Sequence, residues 1–584
     1  MFFITHFLYF IIFNRYHLAY QEQMQLFRFD WNYFTSFLTK PGGISEYSGA
    51  FLTQFFLSPI IGAFIVTLAG IAAYALSKYI FRKYRIFGIL WSFIPVLLLV
   101  ALQSFYKYKL DYTIGFLLTL MFIAIYVSLR KESLRYATGF IGWFLLYLAT
   151  GGFSLLASVL CIIYELLFIK KPYHYFVALG FALMTILLPY LAWRYIYFIS
   201  ISDAWLNLIL FLFPYKGITK YGLLLLLAYY PLLLIGIKIW LTLSKKTQFT
   251  FNWNWKTMLA GIIVFSAITV WIKKNAYDYK TELLLAIDEN VQQKNWDQVL
   301  KLSSRYPENH LLVLYFTNLA LYKSGQLGDR MFHYNQVGPY GLSFKWTTNH
   351  YTPFFGGEVF YHLGYINETY RLAFDAMVID GISPRLLKRL ILTSIINGKY
   401  EVAYKYLKIL DQSLFYRKWA HHYQNYLVNP ELLIQDPEIS RKRHFLIHTD
   451  FFAGEDSTVL GLTKLLENHP DNKMAFEYYM ASLLLSKKII AFADNIDRIK
   501  DFGYKEIPVH YEEALLWYLG YSNKSIIPDG YTIKKSTIQR FNDYVDAYSS
   551  YSGNPILMAE ALNKQFGNTY WFYYHFNNIQ VSPQ

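Results

Sequence analysis

Nine mostly apolar stretches crowd the chain between Met1 and Lys274, and they limit what it can fold into more than any other feature. They are Phe2–Phe13, Phe55–Leu76, Phe87–Phe105, Thr113–Leu129, Tyr136–Ala149, Phe153–Ile169, Tyr175–Tyr197, Tyr221–Leu243 and Met258–Ile272. A hydrocarbon layer about 30 Å thick takes roughly 20 apolar residues of helix to cross. Inside it each backbone N–H and C=O must find its partner within the chain, so such runs form helices. Only 16% of the 584 residues are charged, well short of the quarter or so expected of a soluble globular chain. That argues against a disordered scaffold and against an ordinary cytosolic enzyme. The lone Cys161 excludes a disulfide framework and a cysteine zinc site.

Charge divides the chain in the same place. Residues 1–274 hold 23 of the 54 Lys and Arg but 7 of the 39 Asp and Glu, leaving 31 basic against 32 acidic residues beyond. The whole +15 excess therefore lies between hydrophobic runs, where topology signals belong, and not on a soluble face that would bind nucleic acid. No nucleic-acid partner is expected. With the N-terminus in the cytoplasm, the inner connections are Lys78–Arg85, Arg130-Lys131 to Arg135, Lys170-Lys171, and Lys245-Lys246 with Lys256. The outer connections hold Lys107 and Lys109, and none at Thr150–Gly152. Lys273-Lys274 at the outer end of the ninth span runs against this pattern. The reading places 1–274 in the cytoplasmic membrane, with a long outer first loop at 14–54, and 275–584 outside the cytoplasm.

Local signals refine the spans. Phe2–Phe13 is short for a crossing; it either continues through Asn14, Arg15 and His17 to about Tyr20 or begins upstream. A signal peptide is the rival reading, disfavoured by the absence of early positive charge. Thr150-Gly151-Gly152 should split the stretch Tyr136–Ile169 into two short spans joined by a tight turn. Pro189 should kink the seventh span. Ala204–Phe213, ending in Pro214-Tyr215-Lys216-Gly217, reads as an interfacial or re-entrant helix. In the first loop Pro41-Gly42-Gly43 should end one interfacial helix, and Ser45 should cap the next.

Beyond Lys280 the apolar pattern turns to helical periodicity with short breaks. Trp296–Gln326, Asn397–Gln412 and Glu467–Lys488 each read as helical hairpin pieces, with Tyr400, Ala403, Tyr404, Leu407 and Leu410 on one stripe of the second. Their Gly-x-Tyr-x-x-Ala helices and Pro-Asp-Asn breaks resemble tetratricopeptide repeats, although no strict repeat period emerges and Gly338–Glu358 interrupts the pattern. The expected fold is thus all-α: about nine membrane helices, then a tetratricopeptide-like stack of helical hairpins, with a compact bundle as the alternative. The aromatic run Thr569–Phe576 should cap the last repeat.

Catalytic signatures are absent: there is no phosphate-binding Gly-rich loop, no Gly-x-Ser-x-Gly and no His-Glu-x-x-His. His421-His422 point about 100° apart on a helix, so they read as polar residues of the surface. His510 and Glu513, three apart, have a spacing met by chance and in ordinary ion pairing, so they carry no functional weight. The seven carboxylates of the membrane half matter more, because charge is expensive there. Glu132 lies among basic neighbours, and Glu165 falls near Lys170. Glu22, Asp30, Glu46, Asp111 and Asp203 all map to the outer side, with Arg194 near them.

That outer arrangement resembles the C-class glycosyltransferases, polytopic enzymes that use lipid-linked sugars. On that resemblance Glu22 or Asp30 in the first loop, and Asp111 in Lys109-Leu110-Asp111-Tyr112, are the catalytic candidates. Arg194 and Lys109 are the candidates for binding a polyprenyl-phosphate lipid, with a divalent cation as the implied cofactor. The Asp-Glu pair and Asp-x-Asp of that class are missing, and the likeness is one of topology. The first-loop string Tyr20-Gln21-Glu22-Gln23, Pro41–Tyr47 and Phe51–Phe56 resembles an uncharacterised family of bacterial membrane proteins with helical-repeat tails. So do the tail strings Asn472–Tyr478 and Pro508–Leu515. This second resemblance implies architecture only. The leading functional expectation is a membrane-anchored protein whose tail binds a protein or envelope polymer, and the competing one is sugar transfer.

Overall fold

A computed structural model describes residues 2–577 except 88, 170–172, 210–217, 246–248, all but 263, 266, 267, 270 and 271 of 251–273, then 344–350, 430, 448–457, 523–525 and 552–553. Two compact units emerge: Met1–Glu282 with Gln412–Arg417, and Leu283–Asp411 with Lys418–Gln584. The first boundary therefore falls a few residues beyond the expected 274/275, and the short stretch 412–417 belongs with the membrane-type unit.

The first unit is helical, apart from one two-residue parallel pairing of Ile86–Phe87 with Phe249–Thr250. Its helices are α1 (Phe2–Phe13), α2 (Arg15–Gln23), α3 (Trp31–Phe37), α4 (Gly43–Thr53), α5 (Pro59–Lys83), α6 (Ile89–Gln103), α7 (Leu110–Tyr126), α8 (Glu132–Thr150), α9 (Ser154–Phe168), α10 (His174–Tyr195), α11 (Ile201–Leu206) and α12 (Ile218–Ser244). By length and composition, four stretches can cross a membrane: Pro59–Lys83, Glu132–Phe168, His174–Tyr195 and Gly222–Ser244. The apolar helices α1, α6 and α7 are shorter and pack among them. Nine full-length spans are thus not what the described residues show, and the ninth, Met258–Ile272, lies largely outside them.

Glu132–Phe168 is not one rod. Run straight, Arg135 and Glu165 would stand about 45 Å apart, yet Arg135 Nε lies 3.2 Å from Glu165 Oε1. The chain reverses through a short 3-10 turn at Gly151–Phe153, with Gly151 at φ 56°, as the glycine pair predicts. Tyr84, just after α5, packs on Tyr164 and Phe168 of α9, and Lys238 of α12 lies over Phe168. One end of the bundle therefore gathers the C-terminal parts of α5, α7, α9 and α12 with the N-termini of α8 and α10. The same end carries Arg82, Lys83, Arg130 and Lys131. The expected re-entrant segment is a six-residue α11 followed by Leu208 at φ 71°; its continuation 210–217 lies outside the described residues.

The second unit consists of successive antiparallel helices, among them Tyr351–Leu363, Ile366–Asp380, Pro384–Ile396 and Tyr400–Asp411. On the last, Ala403, Leu407 and Leu410 are buried while Tyr404, expected on the same stripe, is exposed. Long-range contacts also close the unit on itself. Asn472 Nδ2 donates to Leu363 O at 2.8 Å, Val509 N to Asp329 Oδ1 at 2.8 Å, and Tyr573 O–H to Leu485 O at 2.7 Å. A strictly linear stack, in which each repeat touches only its neighbours, has no such contacts. Leu311–Lys323 is apolar on every face because every face is covered. Tyr570–Phe576 buries Tyr570, Trp571, Tyr573 and Phe576 against the unit. His510 and Glu513 form a fully buried pair at 2.9 Å, and Glu513 also accepts from Tyr570 N at 2.8 Å. Of the two readings of that spacing, chance or ordinary ion pairing, the structure has the pair, placed in the core.

A buried ionic network ties three helices together, Tyr279–Gln292, Tyr351–Leu363 and Pro384–Ile396. Glu358 accepts from Arg389 at 2.7 Å, Asp288 pairs with Arg385 at 2.6 Å, and His362 sits 3.5 Å from Glu358. Burial raises the Glu358 carboxyl, but Arg389 and then His362 pull it down further, leaving it well below the usual carboxylate range. Burial drives His362 down to about 4, outweighing the lift from Glu358, so at neutral pH the pair is carboxylate and neutral imidazole. The unfolded chain therefore takes up a proton at His362 as pH falls through about 6.5, while the folded chain does so only near 4. Wild-type stability should drop by about 3 kcal/mol across that window from this residue. Asp288, raised by burial, acts in the opposite sense. Unfolding midpoints of the full chain in detergent should fall as the pH is lowered through that window, and H362Q should flatten that fall.

Candidate functional site

The loop cluster around residues 41–43 is built from three chain breaks that meet. α3 begins at Asp30, whose Oδ2 accepts from Tyr33 N at 3.2 Å. Its aromatic residues pack with Phe27, Tyr47 and Phe51. Gly42 at φ 90° then turns the chain, and a Cβ on Gly43 would meet Phe37 O at 1.7 Å, so only glycine fits there. Gly42 N donates to Leu148 O at 2.9 Å, Gly152 N to Asn207 O at 3.0 Å, and Asn207 Nδ2 to Pro41 O at 2.6 Å. Main-chain groups left open by Pro41-Gly42-Gly43, Thr150-Gly151-Gly152 and Asn207 thereby satisfy one another. Ser45 does not cap α4, as expected from sequence. Gly42 is the cap, and the Ser45 hydroxyl, buried one turn in, donates to Ala149 O at 2.7 Å.

Two carboxylates converge beside this junction. Glu46 on α4 takes Lys40 Nζ at 2.6 Å and Asn207 Nδ2 at 3.3 Å. One turn further on, Gly49 lets α4 press against the first turn of α7: a Cβ there would lie 2.7 Å from Asp111 N. Asp111 is only 9% exposed. Its Oδ1 accepts from Tyr112 N at 2.8 Å, and it makes no further hydrogen bond among the described residues. Lys109, Lys40 and Glu46 are the charges it senses.

The other sequence candidates fall elsewhere. Glu22 is 2% exposed and accepts from Tyr416 O–H at 2.7 and 2.9 Å and from Gln23 Nε2 at 2.6 Å. Burial and the adjacent Glu22 carboxylate push the Tyr416 phenol well up, so it stays a neutral donor. Phe29 N also donates to Gln412 O at 2.9 Å and Phe55 stacks on Phe415, so Glu22 anchors the 412–417 stretch. Asp30 is a helix cap. Arg194 is exposed near the end of α10 and forms no ion pair among the described residues. Asp203 is half-buried and bonded to Ser200. Of the acidic candidates, then, only Asp111 sits among basic residues with acceptor capacity left. Glu46 is the partner that sequence reading underweights.

The implied divalent cation does not fit here. One Glu46 oxygen is held by Lys40 and the other by Asn207, which leaves Asp111 as a single carboxylate rather than a ligand set.

A second cluster lies at the basic end. Glu165, 0% exposed, accepts from Tyr126 O–H at 2.7 Å, pairs with Arg135 and contacts His174 Nδ1. Arg135 in turn donates to Tyr136 O–H at 3.1 Å. The sequence points to Lys170 as the cation for Glu165, a residue outside the described ones. Nothing in local spacing marks Arg135, because a helical hairpin brings it there from the far side of the turn.

The result is an all-helical protein with several apolar helices of membrane length, a glycine-stitched loop cluster at one end and a buried ionic cluster at the other. The chain belongs to the family of unknown function DUF6057, which matches residues 1–577. No curated protein and no solved structure matches it.

Truncating one member of a buried ion pair strands the other. Arg135→Leu or Glu165→Leu alone should each cost about 3–5 kcal/mol, and the double variant should recover most of that. Thermal unfolding of the purified chain in detergent measures the difference.

Proposed function

We propose that this chain is a multi-pass protein of the cytoplasmic membrane that transfers a sugar, or a similar group, from a polyprenyl-phosphate donor at the outer interface. Asp111 is the residue that acts. The observation that carries the reading is that Asp111 is nearly buried beside Lys109 and Lys40 yet makes no hydrogen bond beyond its own helix among the described residues. A carboxylate withdrawn from water with a single backbone donor is costly, and such groups mark function by default. The basic end, with Arg82, Lys83, Arg130 and Lys131, faces the cytoplasm in this reading, which puts Asp111 and the tail outside it.

The chemistry follows from the charges. Asp111 takes the proton of an acceptor hydroxyl as the new C–O bond forms and the sugar's C–O bond to phosphate breaks. Lys109 and Lys40 neutralise the departing lipid phosphate. The exposed aromatic side chains Phe29, Trp31 and Phe51 offer the apolar surface a polyprenyl chain requires. In this scheme the helical tail engages the acceptor, a protein or envelope polymer. The second reading is a tail that binds such a partner with no chemistry in the membrane unit; the self-closing helical second unit is compatible with it.

Proteoliposomes given a radiolabelled polyprenyl-phosphate sugar and envelope extract should show transfer by the wild type. D111N should lose about 10²–10⁴ of the rate, with Lys109→Ala weakening donor affinity. A D111N variant as active as wild type overturns the catalytic assignment. Retention of a cellular phenotype by D111N, with its loss on disrupting the tail, favours the binding reading.

A further inference from the structure

The tail carries a constellation the membrane unit does not use. His444 ends the helix Pro437–His444, and His469 follows the helix Thr458–Asn468. Asp471 lies two residues further, in the turn that leads into Lys473–Leu485. One ligand atom from each of the three lies within 4.8 Å of the others. His444 Nε2 is 2.8 Å from Asp471 Oδ2, and the two imidazole rings are 5.6 Å apart.

The scaffold beneath them is firm. Asn472, 1% exposed, caps the following helix through Ala475 N at 3.1 Å and donates to Leu363 O at 2.8 Å, which fixes the turn bearing Asp471. Phe445, 4% exposed, packs on His469 and against Gly364, which fixes the end of the helix bearing His444. His469 Nε2 lies 3.1 Å from Leu446 O. A carbonyl only accepts, so Nε2 carries the proton and Nδ1 keeps its lone pair. Metal-bound histidines commonly have this arrangement, with one nitrogen given to a backbone carbonyl and the other to the ion. His444 and Asp471 are both largely exposed, so the outward side is open to ion entry and to water as a further ligand.

We propose that His444, His469 and Asp471 form a site for one divalent transition-metal ion of the zinc type, with solvent completing its shell. Two imidazoles and one carboxylate suit Zn²⁺ and disfavour Mg²⁺ or Ca²⁺, which take all-oxygen shells. Zinc ligands stand about 2.0–2.2 Å from the ion, so binding draws the three groups together by side-chain rotation, possible for the exposed His444 and Asp471. The site joins the two ends of the 445–468 stretch. A bound ion therefore ties the end of Pro437–His444 to the turn after Thr458–Asn468, and it stabilises the tail by the closure entropy it removes.

The test uses the full chain in detergent, stripped with chelator and dialysed against Zn²⁺. Metal analysis should find one Zn²⁺ per chain, with Kd in the micromolar range or tighter, and the melting temperature should rise with Zn²⁺ but not with Mg²⁺. H444A, H469A and D471N should each weaken binding at least tenfold and lose the Zn²⁺-dependent rise. D471N is nearly isosteric and His444 is exposed, so these two variants keep the metal-free fold, as circular dichroism will check. Sub-stoichiometric uptake by the wild type, or uptake unchanged in D471N and H444A, overturns the assignment and leaves a surface His–Asp pair. Neither result bears on Asp111.

Discussion

Charge that cannot reach water must find a partner of opposite sign, and Glu165 shows how far that demand shapes this chain. Its carboxylate draws together two chain reversals that lie a hairpin apart in sequence, the end of α7 with the start of α8 and the end of α9 with the start of α10. Once those four ends are held at one place, the intervening helices must run back and forth, and the turn at Gly151–Phe153 has to lie at the opposite end. The loop cluster at the far end is thus positioned partly by an ionic contact a whole helix length away. Tyr126 and Tyr136 complete the group with hydroxyls, as a buried pair needs if desolvation is not to outweigh attraction.

At the other end, backbone does the joining. Pro41-Gly42-Gly43, Thr150-Gly151-Gly152 and Asn207 each break a helix, and each break frees N–H and C=O groups that the others take up. Side chains are few and small there because the main chains approach too closely for anything larger. Gly43 and Gly49 make the point: the first meets a carbonyl, the second the first turn of α7. Such a junction holds Asp111 and Glu46 in fixed relation mainly through backbone, with Lys40 as the one charged partner of Glu46 among the described residues.

Much of this was legible in the amino-acid order. Apolar runs of membrane length marked α5, α10 and α12, and the glycine pair marked the reversal between α8 and α9. Hydrophobic periodicity announced a helical second half, and Pro-Asp-Asn marked the start of Lys473–Leu485. What stayed hidden depends on distance in space. Arg135 as the partner of Glu165, Tyr416 as the donor to Glu22, and the closure of the second unit through Asp329 with Val509 all join residues that no local pattern connects. Ser45 misled for a related reason: a serine near a helix start suggests a cap, but Gly42 had already turned the chain and left its hydroxyl facing Ala149. The candidate site was legible to the same degree. Asp111 and Lys109 were marked by scarcity of charge, whereas Glu46 gained its place only through Gly49 and Asn207.

The short stretch 412–417 carries a practical consequence. It is encoded deep within the second half, yet it packs with the first unit, where the Tyr416 hydroxyl donates a hydrogen bond to Glu22 and Phe415 meets Phe55. A deletion series that trims the gene from its 3′ end toward residue 283 would thus strip a phenol from a sealed carboxylate in the membrane half. Expression of the two halves as separate polypeptides, cut at the apparent border, would leave each one wounded: one with an orphaned acid, the other with an unshielded ring.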